Sequence, residues 1–256
     1  MNPVGRAMGI ILKSPQEIAR MREAGRIVAE VLDEVVKEVR PGITTTKLDD
    51  IAVRELKRRG AIASFKGYHG YPASICTSVN EEVVHGIPGD RVLNEGDIIS
   101  LDFGAKLKGF HADAAVTVGV GKISAEAESI INATKGALEA GIAAAKLGVR
   151  LGDVSATIQS HAEAKGFTVV IEYVGHGIGR ELHEDPQVPN FGVKGEGPLM
   201  QKGMTLALEP MLNAGTWRTT LAENKWTVVT ADRRLSAHFE HTIAVGDDGA
   251  EILTKI

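Results

Sequence analysis

Apolar residues recur at helical spacing early in the chain: Ile18, Met21, Ala24, Val28, Val31, Val35 and Val39, until Pro41-Gly42 stops the pattern. Ahead of them, Ser14-Pro15-Gln16-Glu17 has the form of a capping box with proline at the first helical position, so a helix is predicted to start there. Thr46 with Asp49 signals a second helix, through Ile51, Ala52 and Leu56 to Gly60. A third is predicted from near Ser124 through Ile130, Ile131, Ala137 and Ile142 to about Gly148, and a fourth from near Gly152 to Gly166. Runs rich in β-branched and apolar residues, bounded by Gly and Pro, predict strands at 98–103, 114–120, 168–173, 205–208 and 241–245.

The two helix pairs read as copies of each other. Gly42 and Gly60 map onto Gly148 and Gly166 at an offset of 106. Gly67-Tyr68-His69-Gly70 is similar to Val174-Gly175-His176-Gly177 at an offset of 107, which also carries Gly96 to Gly203 and Asp102 to Glu209. With 29 glycines in the chain, the glycine matches alone are weak, and the preserved order of helix pair, strand and carboxylate is the stronger sign. The expectation is an α+β fold in which an N-terminal segment, residues 1–13, precedes one domain of residues 14–256. That domain contains an internal repeat of approximately 14–120 and 124–250 around a shared sheet.

Composition narrows the classes. A hydrophobic content of 43% over 256 residues is enough for a sizeable core. A formal charge of −4 gives no broad attraction to nucleic acid or to an anionic membrane. The single cysteine, Cys76, excludes an internal disulfide framework and fits a reducing compartment. Without a secretory signal or a membrane-length apolar run, a cytoplasmic protein is expected.

The chemistry lies where carboxylates interrupt apolar strands. Asp102 sits in Ile98-Ile99-Ser100-Leu101-Asp102-Phe103, Glu209 follows Thr205-Leu206-Ala207-Leu208, and Glu240 lies just before Thr242-Ile243-Ala244-Val245. A carboxylate buried without a partner is costly, and three such interruptions point to a shared cation. Asp113, eleven positions after Asp102, is within reach of a short hairpin. His176 is wedged between glycines in Gly175-His176-Gly177-Ile178-Gly179, where close approach is possible. Four carboxylates and an imidazole suit two divalent ions such as Mn, Fe, Co or Zn, which can activate water and polarise a carbonyl. Nothing matches HExxH, a phosphate loop, GxGxxG or GxSxG. On the residues alone, His85 and His183 read as surface histidines near a loop.

The order Asp102, Asp113, His176, Glu209, Glu240 resembles the type I methionine aminopeptidases of the pita-bread fold. So do the strings Gly67-Tyr68-His69-Gly70-Tyr71-Pro72, Asn80-Glu81-Glu82-Val83-Val84-His85-Gly86-Ile87-Pro88, Gly175-His176-Gly177-Ile178-Gly179 and Glu209-Pro210-Met211. The resemblance covers nearly the whole chain and implies two pseudo-symmetric halves sharing a curved antiparallel sheet, with helices on its outer face. It implies removal of the initiator methionine, when the second residue is small, by attack of a metal-bridging water. Asp113 and Glu240 would bridge two divalent ions, Asp102 would complete one site, and His176 with Glu209 the other. Glu209 would also carry the proton from the water to the leaving amine, His85 would assist the scissile nitrogen, and His183 would donate to the carbonyl oxygen. Phe65, Tyr68, Tyr71, Cys76, Leu182 and Trp226 would wall the methionine pocket, with Leu182 and Phe65 departing from residues that some members carry. A monovalent ion near Asn80 and Ser236 is a further implication. The partners implied are nascent N-termini, with the ribosome as a candidate, for a monomer that binds neither nucleic acid nor membrane. The alternatives are an Xaa-Pro peptidase of the same fold, or a non-catalytic binding protein of that shape.

Overall fold

The computed structural model describes residues 9–256; residues 1–8 of the N-terminal segment lie outside the described residues. Four α-helices stand among the described residues: α1 (Pro15–Lys37), α2 (Thr45–Arg58), α3 (Ala125–Ala144) and α4 (Leu151–Ala164). In chain order the first strands are β1 (Ile62–Ala63), β2 (Cys76–Val79), β3 (Glu82–Val84), β4 (Ile98–Leu107), β5 (Phe110–Gly119), β6 (Thr168–Val169), β7 (Gly175–Gly177) and β8 (Glu184–Val188). They are followed by β9 (Thr205–Leu208), β10 (Met211–Asn213), β11 (Thr219–Leu221), β12 (Val228–Thr230), β13 (Ser236–His238), β14 (Glu240–Gly246) and β15 (Gly249–Ile252).

The start of α1 is the predicted capping box: Glu17 N donates to Ser14 Oγ at 3.3 Å, and Ser14 N donates to Glu17 Oε2 at 2.9 Å. The start of α2 differs from the sequence reading, whereas α4 starts next to the expected Gly152. Thr44, not Thr46, caps α2 by accepting from Lys47 N. Asp49 instead accepts from Ser74 N at 2.9 Å and Ile75 N at 3.2 Å, tying the helix to the loop before β2. The cap of α4 is Arg150, whose backbone N–H donates to Asp153 at 2.9 Å. An acid at the third helical position satisfies that N–H whatever the cap residue is, so no residue type at the cap gave a signal.

Nine strands among the described residues form one curled, mainly antiparallel sheet in the order β1-β4-β5-β14-β9-β7-β8, with β2 also on β4 and β15 on β14. The curved antiparallel sheet with four helices is the fold class that the resemblance implied. Two three-stranded sheets, β13-β10-β6 and β11-β12-β3, adjoin it. The predicted 168–173 strand is only two residues long, and beyond it a single further bond, from Val170 N to Met211 O at 3.0 Å, continues its pairing with β10.

The pleat sorts residues between two faces. Along β4, Ile99, Leu101, Phe103 and Ala105 join the core beneath α1 and α2. Ser100, Asp102 and Gly104 therefore face the other way. Along β5, Ala112 and Ala114 share that core, which places His111, Asp113 and Thr117 opposite. In the other half, Leu206, Leu208, Ile243 and Val245 pack with α3 and α4, which sends Glu209, Glu240 and Thr242 to the face without helices. The helices thus buttress one side of the sheet, and the carboxylates gather on the other.

Candidate metal centre

Asp102 and Asp113 sit on neighbouring strands of the β4–β5 hairpin, whose register pairs Asp102 with Ala115 and Gly104 with Asp113. The two carboxylates are diagonal neighbours on one face, as the eleven-residue spacing suggested. Thr242 of β14 clamps the strand beneath them: Asp113 N donates to its Oγ1 at 2.9 Å, and that hydroxyl donates to Asp113 O at 2.8 Å. Glu240 opens β14 opposite Ala115. His176 pairs with Ala207 across β7 and β9. A Cβ at Gly175 would strike the Ala207 carbonyl, and one at Gly177 the Asp185 carbonyl, so the flanking glycines allow this packing.

Single ligand atoms of Asp113, His176 and Glu240 lie within 4.8 Å of one another, all three residues buried. His176 Nε2 faces Glu209 Oε1 at 3.5 Å. His176 Nδ1 donates to Gly177 O at 2.9 Å, which fixes the tautomer and leaves the Nε2 lone pair turned into the site. Asp102 Oδ1, Asp113 Oδ1 and Glu240 Oε1 are buried with no hydrogen-bond partner among the described residues. Burial pushes Asp102 up to about 7, against the hydrogen bond with Asp113 that lowers it. Asp113, Glu209 and Glu240 are driven well above the carboxylate range, by burial first and second by the charge of a neighbouring carboxylate, Asp102 for Asp113 and Glu209 and Asp113 for Glu240. Burial also holds His176 down to about 3. Clustered acids that cannot ionise together, beside a neutral imidazole with an open lone pair, fit divalent cations that would offset that charge.

Beside the carboxylates opens a cavity of about 360 Å³. Its lining takes in the pocket, histidine and ligand residues read from the sequence: Phe65, Tyr68, Tyr71, Cys76, Leu182 and Trp226, with His85 and His183, and with Asp102, Asp113, His176, Glu209 and Glu240. Tyr71 is anchored by donating to Gly86 O at 2.9 Å, and its ring meets that of Trp226 edge to face at 5.2 Å. The Tyr68 hydroxyl and His183 Nδ1 share a 2.6 Å hydrogen bond. Burial lowers His183 to about 4 and lowers His85 as well, so both are neutral near pH 7. Asn80 and Ser236 are joined by Ser236 N donating to Asn80 O at 2.9 Å, and they stand outside the cavity lining.

Two lining or neighbouring histidines were not singled out from the sequence. His69 lines the cavity from a left-handed backbone position, φ 48°. His238 is 1% exposed, lies 3.9 Å from Glu209 Oε2, and has neither ring nitrogen bonded among the described residues. Strand alternation was the available signal for His238 and Thr242, each two positions from Glu240.

Comparison with known proteins agrees with this geometry. The model of metallopeptidase family M24 matches residues 19–247. A curated relative, methionine aminopeptidase 1 of Bacillus subtilis, is 54% identical over 248 residues, covering 96% of this chain and all of the relative. The crystal structure of methionine aminopeptidase from Thermotoga maritima superposes with a TM-score of 0.95 at 49% identity, over 96% of this chain and 100% of that one. The Xaa-Pro dipeptidase from Bacillus anthracis shares the fold, with a TM-score of 0.77 at 24% identity over 96% of this chain and 62% of its own.

Proposed function

The chain belongs to metallopeptidase family M24, and from that membership and the site's geometry we infer that it is a methionyl aminopeptidase, removing N-terminal methionine by metal-dependent hydrolysis. The observation that carries this reading is the cavity that joins orphaned carboxylate oxygens to an apolar wall. Fully burying a methionine side chain is worth roughly 1.5–3 kcal/mol. Cys76 and the aromatic rings offer a thioether soft contacts.

Asp102, Asp113, His176, Glu209 and Glu240 would hold two divalent ions, drawn from Co, Mn, Fe or Zn. When bound, such ions polarise the scissile carbonyl and make water a nucleophile at neutral pH. Glu209, ionised once cations stand beside it, takes the proton of the attacking water and passes it to the leaving amine. His183, steadied by Tyr68, donates from Nε2 to the carbonyl oxygen as charge develops there. His85, from its left-handed backbone (φ 61°), meets the scissile nitrogen. Its ring and that of Tyr173 stand edge to face at 5.9 Å, a crowding that favours a small second residue. The substrates are N-termini of nascent chains, and the setting we assign is a cytoplasmic monomer with the ribosome as its candidate partner. Among the described residues no helix is long and apolar enough to cross a membrane.

The test is turnover of Met-Ala-Ser with Co²⁺ or Mn²⁺. Methionine release that stops on chelation, with Met-Leu-Ser a poor substrate, supports the reading. Cleavage of Xaa-Pro peptides with Met-Ala-Ser untouched would move the protein to the prolidase side of the fold.

A further inference from the structure

Lys13, the residue before the Ser14 cap of α1, has its side chain 3% exposed and pairs with the Glu184 carboxylate, 2% exposed. The ammonium also donates to Ile11 O at 3.1 Å. The other Glu184 oxygen accepts from two backbone N–H groups of the preceding loop, Arg180 at 2.8 Å and Glu181 at 3.2 Å. One carboxylate therefore folds the 179–184 loop onto itself and fastens it to the strand of chain that precedes α1. A Cβ at Gly179 would collide with both members of the pair, which gives the last glycine of Gly175-His176-Gly177-Ile178-Gly179 its reason. Two further ties converge here. Lys13 N donates to Gly203 O at 2.7 Å, at the entry to β9, and Arg180 donates to Glu17 at 3.0 Å.

The fastened loop carries Leu182 and His183, both of which line the cavity. Between Gly177 and Glu184 the chain belongs to neither β7 nor β8: Ile178 N donates to Thr205 O at 3.1 Å and Gly179 O accepts from His111 N at 2.7 Å, but among the described residues no backbone bond to the sheet reaches Leu182 or His183. A buried ion pair gains little net stability over apolar residues of the same volume, yet removing one partner leaves a buried charge unpaired and is strongly destabilising. Such a pair is better suited to selecting one loop conformation than to strengthening the fold.

We propose that Lys13 and Glu184 are positioning residues for substrate recognition, holding Leu182 and His183 against the methionine side chain and the scissile carbonyl. The proposal rests on the aminopeptidase reading above. Its test compares Lys13→Met, Glu184→Gln and the double variant with the wild type, each loaded with Co²⁺. The single variants lose roughly 10- to 100-fold in kcat/KM for Met-Ala-Ser, with KM raised as Leu182 moves and kcat lowered as His183 moves, the size expected of a small displacement of the groups that hold the substrate. Calorimetric Co²⁺ affinity stays at the wild-type value, and trypsin cuts at Arg180 where the wild type resists.

The double variant separates positioning from stability. It regains much of the wild-type thermal midpoint because no charge is left unpaired, but it keeps the raised KM and the cleavage at Arg180. It also carries the test if the single variants do not fold. A double variant with wild-type KM and a protected Arg180 overturns the proposal. If the wild type itself releases no methionine, the aminopeptidase reading fails, and the protease arm alone then decides whether this pair holds the loop.

Discussion

Two hairpins supply the four carboxylates, and they are built differently. In the first, β4 and β5 run ten residues each, and the ladder is unbroken from Ile98↔Gly119 to Leu107↔Phe110. Asp102 and Asp113 lie inside it, so the pleat alone aims them. In the second, the pairing His241↔Leu208 gives way to Met211↔His238, and Glu209-Pro210 and Phe239-Glu240 fall in the gap. Pro210 has no N–H to offer a ladder. The strand that would match β4 is thereby split into β9 and β10, which lie in different sheets. Glu209 and Glu240 stand at the broken ends, where Asn190 Nδ2 donates to Glu209 O at 3.1 Å and Phe239 N to Pro210 O at 3.3 Å. The regular hairpin is a fixed platform. Under the mechanism proposed above, the broken one presents Glu209, the carboxylate that would take and release a proton.

Substitutions that treat the two hairpins alike are expected to show how far they differ. Glu240→Ala and Asp113→Ala should each abolish turnover, and Glu209→Gln should cost roughly 10²–10⁴-fold in kcat. Asp102→Asn should recover part of its activity at saturating Co²⁺, whereas Glu209→Gln should not, since excess metal restores occupancy but not a proton carrier. Equal recovery of both, measured as kcat against metal concentration, would erase the distinction between platform and proton carrier.

Next in size is Pro210→Ala, which permits the second hairpin to pair through its break. A displaced Glu209 should lower kcat roughly 10- to 100-fold while the circular dichroism spectrum is kept. Unchanged kcat would mean that the break has no part in aiming the carboxylate.

A pH series on the metal-free protein probes both hairpins together. Acids with a raised folded pKa bind protons more tightly folded than unfolded, so the stability they give is lost as pH rises. The buried histidines, with lowered folded values, titrate between about 3 and their ordinary 6.5 and act in the opposite direction below that point. Above the histidines' ordinary 6.5 only the carboxylate effect remains, through Asp102, pushed up to about 7, and through Asp113, Glu209 and Glu240, which burial also raises. The thermal midpoint of the metal-free protein should therefore fall from pH 7 to pH 8, and that of the Co²⁺-loaded protein should hold. Parallel curves would refute the burial of ionisable acids at this site.

The smallest effect is expected at the joint between the hairpins. Thr242→Val leaves Asp113 N without its acceptor and should cost about 1–3 kcal/mol in urea unfolding. Wild-type stability would show that the two hairpins are not held together there.

Much of this site was legible before the fold was known, for a physical reason. Asp102, Glu209 and Glu240 break apolar strands, and a carboxylate in such a run needs a partner whatever the topology. His176 was legible because glycine on both sides of a histidine signals close packing. What escaped depended on register or on long-range contacts. The split of the second hairpin, the displaced cap of α2 and the pairing of Lys13 with Glu184 across 171 positions leave no local pattern. His238 fell between, on a face that alternation marks once the strand is known. His85 and His183 needed the family resemblance, because nothing in their neighbours sets them apart from surface histidines.

The edge-to-face contact between Tyr71 and Trp226 has an optical consequence. The chain has two tryptophans, and the other, Trp217, lies beneath the Arg218 guanidinium, away from the cavity lining. An apolar side chain entering the cavity displaces water from beside the Trp226 indole, whose fluorescence moves to the blue as its surroundings dry. Occupancy of the pocket can thus be followed by light alone, with no label attached and no bond broken.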